Sequence, residues 1–257
     1  MVTFVLACLL LVRPVGVEPE DLARYNTVWT SPSADASGSM PIGNGEVGAN
    51  VWVEAGGDLV FYISRTDSWS ENERLLKLGR VRVHLDPNPF VSGQPFRQEL
   101  VLREGRIDIA AGRPDRAAKL SFWVDASSPT IRITAQTAAP TTMTATLENW
   151  RTERRVLKGE ELKSAWAVHS APEDVEIWES PDVVLADEPD AVKWYHRNEH
   201  SVVPQVIKTQ GLTEIATTVP DPLIHRTFGG RMSGSGLIRA GASTLRSEPA
   251  QAFDLRI

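Results

Sequence analysis

Three groups of residues have the type and spacing to do chemistry. Gly43-Asn44-Gly45-Glu46-Val47-Gly48 spells G-x-G-x-x-G, the pattern that cradles a dinucleotide pyrophosphate when a strand precedes it and a helix follows. Here Ser37-Gly38-Ser39-Met40-Pro41 leads in and the strand-like Ala49 to Val53 leads out. The order is reversed, so the segment reads as a tight turn feeding a strand, with positive φ at one or more glycines. His196-Arg197-Asn198-Glu199-His200 spells H-x-x-E-H, which on a helix places two imidazoles on one zinc ion. Trp194-Tyr195 before it and Ser201-Val202-Val203-Pro204 after it are poor helix context. A polar loop whose His and Arg bind backbone or sugar hydroxyls is preferred. The third group is the acids near turns or aromatics: Glu46, Asp67, Glu71, Glu199 and Asp221. Glycoside hydrolysis needs two carboxylates facing each other across the scissile bond, and spacing alone does not pair these five.

No G-x-S-x-G nucleophile elbow is present. The single cysteine, Cys8, lies in an apolar run from Val2 to Val12 that is too short to span a bilayer and suits the core of a secretion signal. Residues 1–18 are therefore expected to be a signal peptide with a mis-assigned start, since no basic residue precedes the run, and the protein is expected to be secreted or periplasmic. The exported chain would hold together without a disulfide. Net charge is −6, and Lys and Arg are scattered, which argues against nucleic acid. No cofactor, metal site or catalytic residue is assigned. Eight tryptophans stand out: Trp29, Trp52, Trp69, Trp123, Trp150, Trp166, Trp178 and Trp194. Their ring faces suit sugar C–H surfaces, and equally suit a β core.

The elements that must position these groups are strands. Period-two apolar runs occur at 51–53, 59–63, 81–85, 99–102, 107–109, 120–124, 130–135, 141–147, 165–169, 202–209 and 236–239, separated by turn residues such as Gly56-Gly57-Asp58 and Asp86-Pro87-Asn88-Pro89. Thr152 to Lys163 is the best helical stretch, but its charge favours a loop or a single turn. The fold class expected is all-β, two large, mainly antiparallel sheets with few short helices, over residues 19–257. Ala252 to Ile257 alternates like the middle of a strand, so the chain is expected to continue into a further domain.

Trp29, Met40-Pro41-Ile42-Gly43-Asn44-Gly45-Glu46-Val47-Gly48-Ala49, Leu59 to Ile63 and Asp67-Ser68-Trp69 resemble the start of family-95 glycoside hydrolases, the α-L-fucosidase-like group. Ser64 to Asn72, Leu78 to Val83, Trp194 to Glu199 and Arg226-Thr227-Phe228-Gly229 look more like a related bacterial domain of unknown function, family 5703, from polysaccharide-degrading proteins. The resemblance implies an N-terminal β-supersandwich packed on an (α/α)6 barrel that carries the catalytic acids. No helical pattern of that length occurs here, so none of those acids carries over. By the same analogy Asn44, Glu46, Asp67, Trp69, His196, Arg197 and Glu199 face the barrel and line a glycan cleft; the alternative is that they brace the turn or the domain interface. The reading is a non-catalytic module of a secreted glycoside-hydrolase-like protein, with a barrel domain and poly- or oligosaccharide as partners. A free-standing carbohydrate-binding module and a self-contained hydrolase, with zinc or with its own acids, are the alternatives.

Overall fold

The computed structural model describes residues 22–172 and 174–257. The expected signal peptide, residues 1–18, therefore lies outside the described residues. Strands β1 (Thr27–Trp29), β2 (Met40–Gly43), β3 (Val47–Val53), β4 (Leu59–Trp69) and β5 (Leu75–Asp86) come first, then β6 (Phe96–Val101), β7 (Arg106–Ala111), β8 (Ala118–Val124) and the long β9 (Ile131–Glu148). After β9 come β10 (Arg155–Val156), helix α1 (Gly159–Lys163), β11 (Trp178–Glu179), β12 (Asp182–Leu185), β13 (Ala191–Arg197), helix α2 (Val203–Thr209), β14 (Thr227–Gly234), β15 (Leu237–Gly241), β16 (Thr244–Ser247) and β17 (Ala250–Arg256).

The protein is mainly β, but the two separate facing sheets expected from the alternation are one continuous antiparallel sheet curled into a half-barrel. The reason is β9. The runs 130–135 and 141–147, which read as two strands, are one 18-residue strand. Its first half pairs with β8 and β17, and its second half with β5 and β16. Ile131, Ile133, Ala135, Met143, Ala145 and Leu147 all point inward, so alternation survives the change of neighbours. Pro140, which has no N–H to give, sits in the gap where neither set of neighbours pairs.

Curling brings both halves of the sheet over one core. Val51, Phe61 and Val83 from one half meet Ile107, Phe122 and Ile133 from the other, and Phe61 packs edge-on to Phe122 with centroids 5.0 Å apart. Within β5 the inward set changes parity, from Leu76 and Leu78 to Val81, Val83 and Leu85. Gly79, at φ 150, and a register shift against Ile63 and Ser64 make the bulge responsible. Through this bulge Lys77, Arg80 and Tyr62 share the outer face.

Residues 149–172, 174–182 and 198–226 form a cap with its own small core of Leu157, Ala165, Val168, Ile177 and Val202. Two expected strands here are corrected. Residues 165–169 are turns, and 203–209 form α2 with Pro204 in its first turn. Pro is preset for that position, Val206 packs on the cap core and Ile207 is buried, so this β-branched run takes the helical spacing rather than period two. The charged stretch before Lys163 is indeed a single turn, α1. No helix among the described residues is long and apolar enough to cross a membrane.

Candidate functional site

The β4–β5 hairpin ends in Ser70-Glu71-Asn72-Glu73. Hairpin tips usually face water, but Ser70, Glu71 and Asn72 are at most 1% exposed, because the cap closes over them. Ser70 N–H donates to Arg74 O at 2.9 Å, and Glu73 takes φ 56 to make the turn. A buried carboxylate must be paired or it costs several kcal/mol, and the partners of Glu71 from outside the tip come from the cap and from β13.

Glu71 Oε1 accepts from Ser180 N–H at 3.0 Å and from its hydroxyl at 2.6 Å. Glu71 Oε2 lies 3.3 Å from His196 Nε2, and His196 Nδ1 lies 2.8 Å from Asp182 Oδ1. Asp182 in turn accepts two bonds from Arg151, at 2.9 and 2.8 Å, and Arg151 donates a third to Lys77 O at 2.8 Å. Two carboxylates, one guanidinium and one imidazolium make a chain of zero net charge when His196 is protonated. Burial opposes the charge on His196, but the carboxylates of Asp182 and Glu71 outweigh it and raise its pKa above 6.5. Burial likewise opposes the charge on Glu71, and His196, His200, Ser180 and the tip backbone outweigh it, holding the carboxyl far below its usual range. His200 Nδ1 lies 3.2 Å from Glu71 Oε1, and its ring stacks on Trp178 at 3.7 Å.

The surrounding bonds lock tip to cap. Asn72 donates to Trp178 O, Asn198 donates to Trp69 O and Leu223 O, Arg226 donates to Asp67 O, and Arg74 pairs with Glu179 at 2.7 Å. The H-x-x-E-H spacing is therefore neither helix nor polar loop at its start. His196 and Arg197 end strand β13, His196 turns inward, and Glu199 stays exposed beside Arg197 at 3.5 Å.

The seven residues expected to line one cleft divide into separate roles. Asn44 closes the P-I-G-N-G turn: its Oδ1 accepts from Glu46 N–H and Val47 N–H, and its Nδ2 donates to Asp125 O and Ser128 O. Gly45 there has φ 93, and a Cβ on Gly43 would lie 2.8 Å from Val47 O. Glu46 and Asp67 flank Arg65 as surface ion pairs. Trp69 is exposed, and its carbonyl accepts from Asn198 Nδ2. His196 alone of the seven belongs to the buried chain. Asp182 and Arg151 were missed, and each lies far in sequence from Glu71; the one local hint was the polar run Ser70-Glu71-Asn72 directly after a strand.

Beside this chain, on the outer face, a pocket of about 380 Å³ is lined by Tyr62, Arg74, Lys77, Trp150, Arg155 and Glu161, with Arg151 and Glu179 behind. Trp150 stands edge-on to Tyr62 at 6.1 Å and 84° and keeps 42% of its surface open. Lys77 Nζ sits 4.2 Å over the Tyr62 ring. Of the tryptophans, Trp52 and Trp194 are buried, while Trp29, Trp69, Trp150 and Trp166 are exposed.

A mainly β domain with these features is matched over residues 28–256 by the N-terminal domain of DUF5703, a domain of unknown function. The chain belongs to that family. No curated protein matches it.

Proposed function

We propose that this chain is the non-catalytic, glycan-contacting module of an exported, glycoside-hydrolase-like bacterial protein of polysaccharide breakdown. One observation carries the reading: the Glu71–His196–Asp182 chain is sealed, while aromatic and charged groups left open form a pocket of sugar size. Glu71, Asp182 and His196 are each spent on one another with side chains at most 1% exposed, which leaves no gap for a glycosidic oxygen between them. A pocket of this volume is within the range of small-molecule sites, and its aromatic wall is what a pyranose face needs.

The resemblance of Met40 to Ala49 to the opening of family-95 enzymes supports a working partner, an (α/α)6 barrel that holds the catalytic acids. In this reading the curled sheet is this chain's form of the supersandwich. A free-standing binding module is the second reading, favoured by the open faces of Trp150 and of Trp166, which is 72% exposed.

Native affinity electrophoresis of the chain through gels containing a panel of polysaccharides, with aryl-glycoside assays alongside, tests the proposal. Retardation by at least one polysaccharide without turnover is expected. Turnover by the chain alone, or indifference to every polysaccharide, would sink it.

A further inference from the structure

The pocket beside Trp150 has a charge pattern that specifies more than a sugar. Four cations line or back it, and three of them are matched. Arg74 pairs with Glu179, Arg155 with Glu161 at 2.7 Å, and Arg151 with Asp182 at 2.8 Å. Lys77 is the exception. It is exposed on β5 and has no ion pair among the described residues; its ammonium lies over the face of Tyr62. The bulge at Gly79 is what turns Lys77 to the same side as Tyr62. A ring face holds an ammonium by its quadrupole without neutralising it, so the pocket retains one positive charge at a fixed place.

We propose that this pocket binds an anionic sugar unit, a pyranose carrying one carboxylate or sulfate, with the anion on Lys77 and the ring's C–H face on the open face of Trp150. The inference rests on the glycan-contacting reading above and narrows it to a substrate class. Trp150 supplies a flat apolar wall, and its perpendicular contact with Tyr62 fixes the ring's tilt. Arg155 and Glu161, both about 43% exposed on the rim, offer a donor and an acceptor to hydroxyls. A neutral sugar would leave Lys77 with only water, whereas an anionic one completes the fourth pair. The gain is that of a solvent-facing ion pair, up to about 1 kcal/mol, or about fivefold in affinity, and salt weakens it.

Calorimetric titration of the intact chain with three probes tests this: a galacturonate oligosaccharide, a sulfated galactan oligosaccharide and a cello-oligosaccharide. Binding of one or both anionic probes is expected, tighter than the neutral one and weakened by added NaCl. Which anionic probe binds identifies the anion's source. Lys77→Met should weaken anionic binding about fivefold and remove its salt dependence, and Trp150→Ala should weaken every probe that binds. Both side chains are solvent-exposed, and unchanged thermal midpoints would confirm that the variants fold. Equal affinity for the neutral probe, or anionic binding unaltered by Lys77→Met, would overturn the inference while leaving a glycan-contacting module in place. No binding of any probe would overturn the inference, and the polysaccharide panel would then decide the broader reading separately.

Discussion

At the scale of single residues, Glu71 and Glu199 make a controlled comparison. Both are acids beside a histidine, but Glu71 is buried and multiply bonded, whereas Glu199 keeps 57% of its side chain in water. Removing one member of a buried ion pair leaves the other charge unmatched, at a cost of about 3 kcal/mol. Glu71→Gln should therefore lower stability by about that amount in urea titration, and Glu199→Gln should change it by less than about 0.5 kcal/mol. An equal effect of the two would contradict the buried chain. His196 adds a pH signature. Its folded pKa is raised, so its contribution is fully present below pH 6.5 and is lost as pH rises through the raised value. Glu71 has a lowered pKa, so its contribution is fully present above about 4.5 and is lost progressively as pH falls below that. The thermal midpoint should fall as pH rises from 6.5 toward 9, and His196→Gln should flatten that limb. A wild-type midpoint that climbs over the same interval would show that His196 is buried neutral.

Among the elements, the contact between β13 and β14 leaves the least freedom. A Cβ added at Gly229 would lie 2.0 Å from Trp194 O and 2.6 Å from Tyr195 Cα, both backbone atoms. A backbone cannot step aside as a side chain can, so Gly229→Ala should force the two strands apart and cost more than about 3 kcal/mol, well above the ordinary range for a point change. Gly45→Ala is the useful contrast. Nothing lies within 4 Å of its Cβ, so only its positive φ is penalised, at about 1–2 kcal/mol. Chemical denaturation of the two variants would separate crowding from strain, and a milder loss at Gly229 than at Gly45 would refute this close approach of β13 and β14. The Gly45 turn was legible in the sequence because its signal is local: a short glycine-rich stretch ahead of an alternating strand. The Gly229 contact was not, since it depends on which strand lies opposite. The same distinction explains the candidate site. Period two announced β3, β4, β5 and β8, yet it says nothing about pairing, and Glu71, Arg151, Asp182 and His196 are joined only by long-range contacts. Helix α2 is not legible locally, because Val203, Val206 and Ile207 suit a strand in isolation and it is packing on the cap core that favours the helix.

Across the whole molecule, β9 makes the two halves of the sheet one body. A strand that serves both arms cannot lose its pairing on one side while keeping it intact on the other, so unfolding is expected to be a single cooperative event. Ala145, inward-facing and fully buried, offers the test. Ala145→Asp should shift the urea midpoint by the same amount whether the probe is tryptophan fluorescence or far-ultraviolet circular dichroism. Separate midpoints would mean that the arms melt independently. Sequence alternation foretold the strands of both arms but not their union, because Pro140 interrupts the apolar period at the place where one strand passes between two sets of neighbours.

The enclosed tip of the β4–β5 hairpin bears on how the protein meets proteases. A reversal of the chain between two long strands is ordinarily a favoured place for cleavage. Here that reversal is shut inside, and the vulnerable backbone has moved outward to residues 211–220, where Leu212, Ile215 and Val219 stand in solvent. A peptidase would meet this part of the cap before the hairpin tip, and a single nick there would leave the two cut ends held down by Asn198, Arg226 and α2.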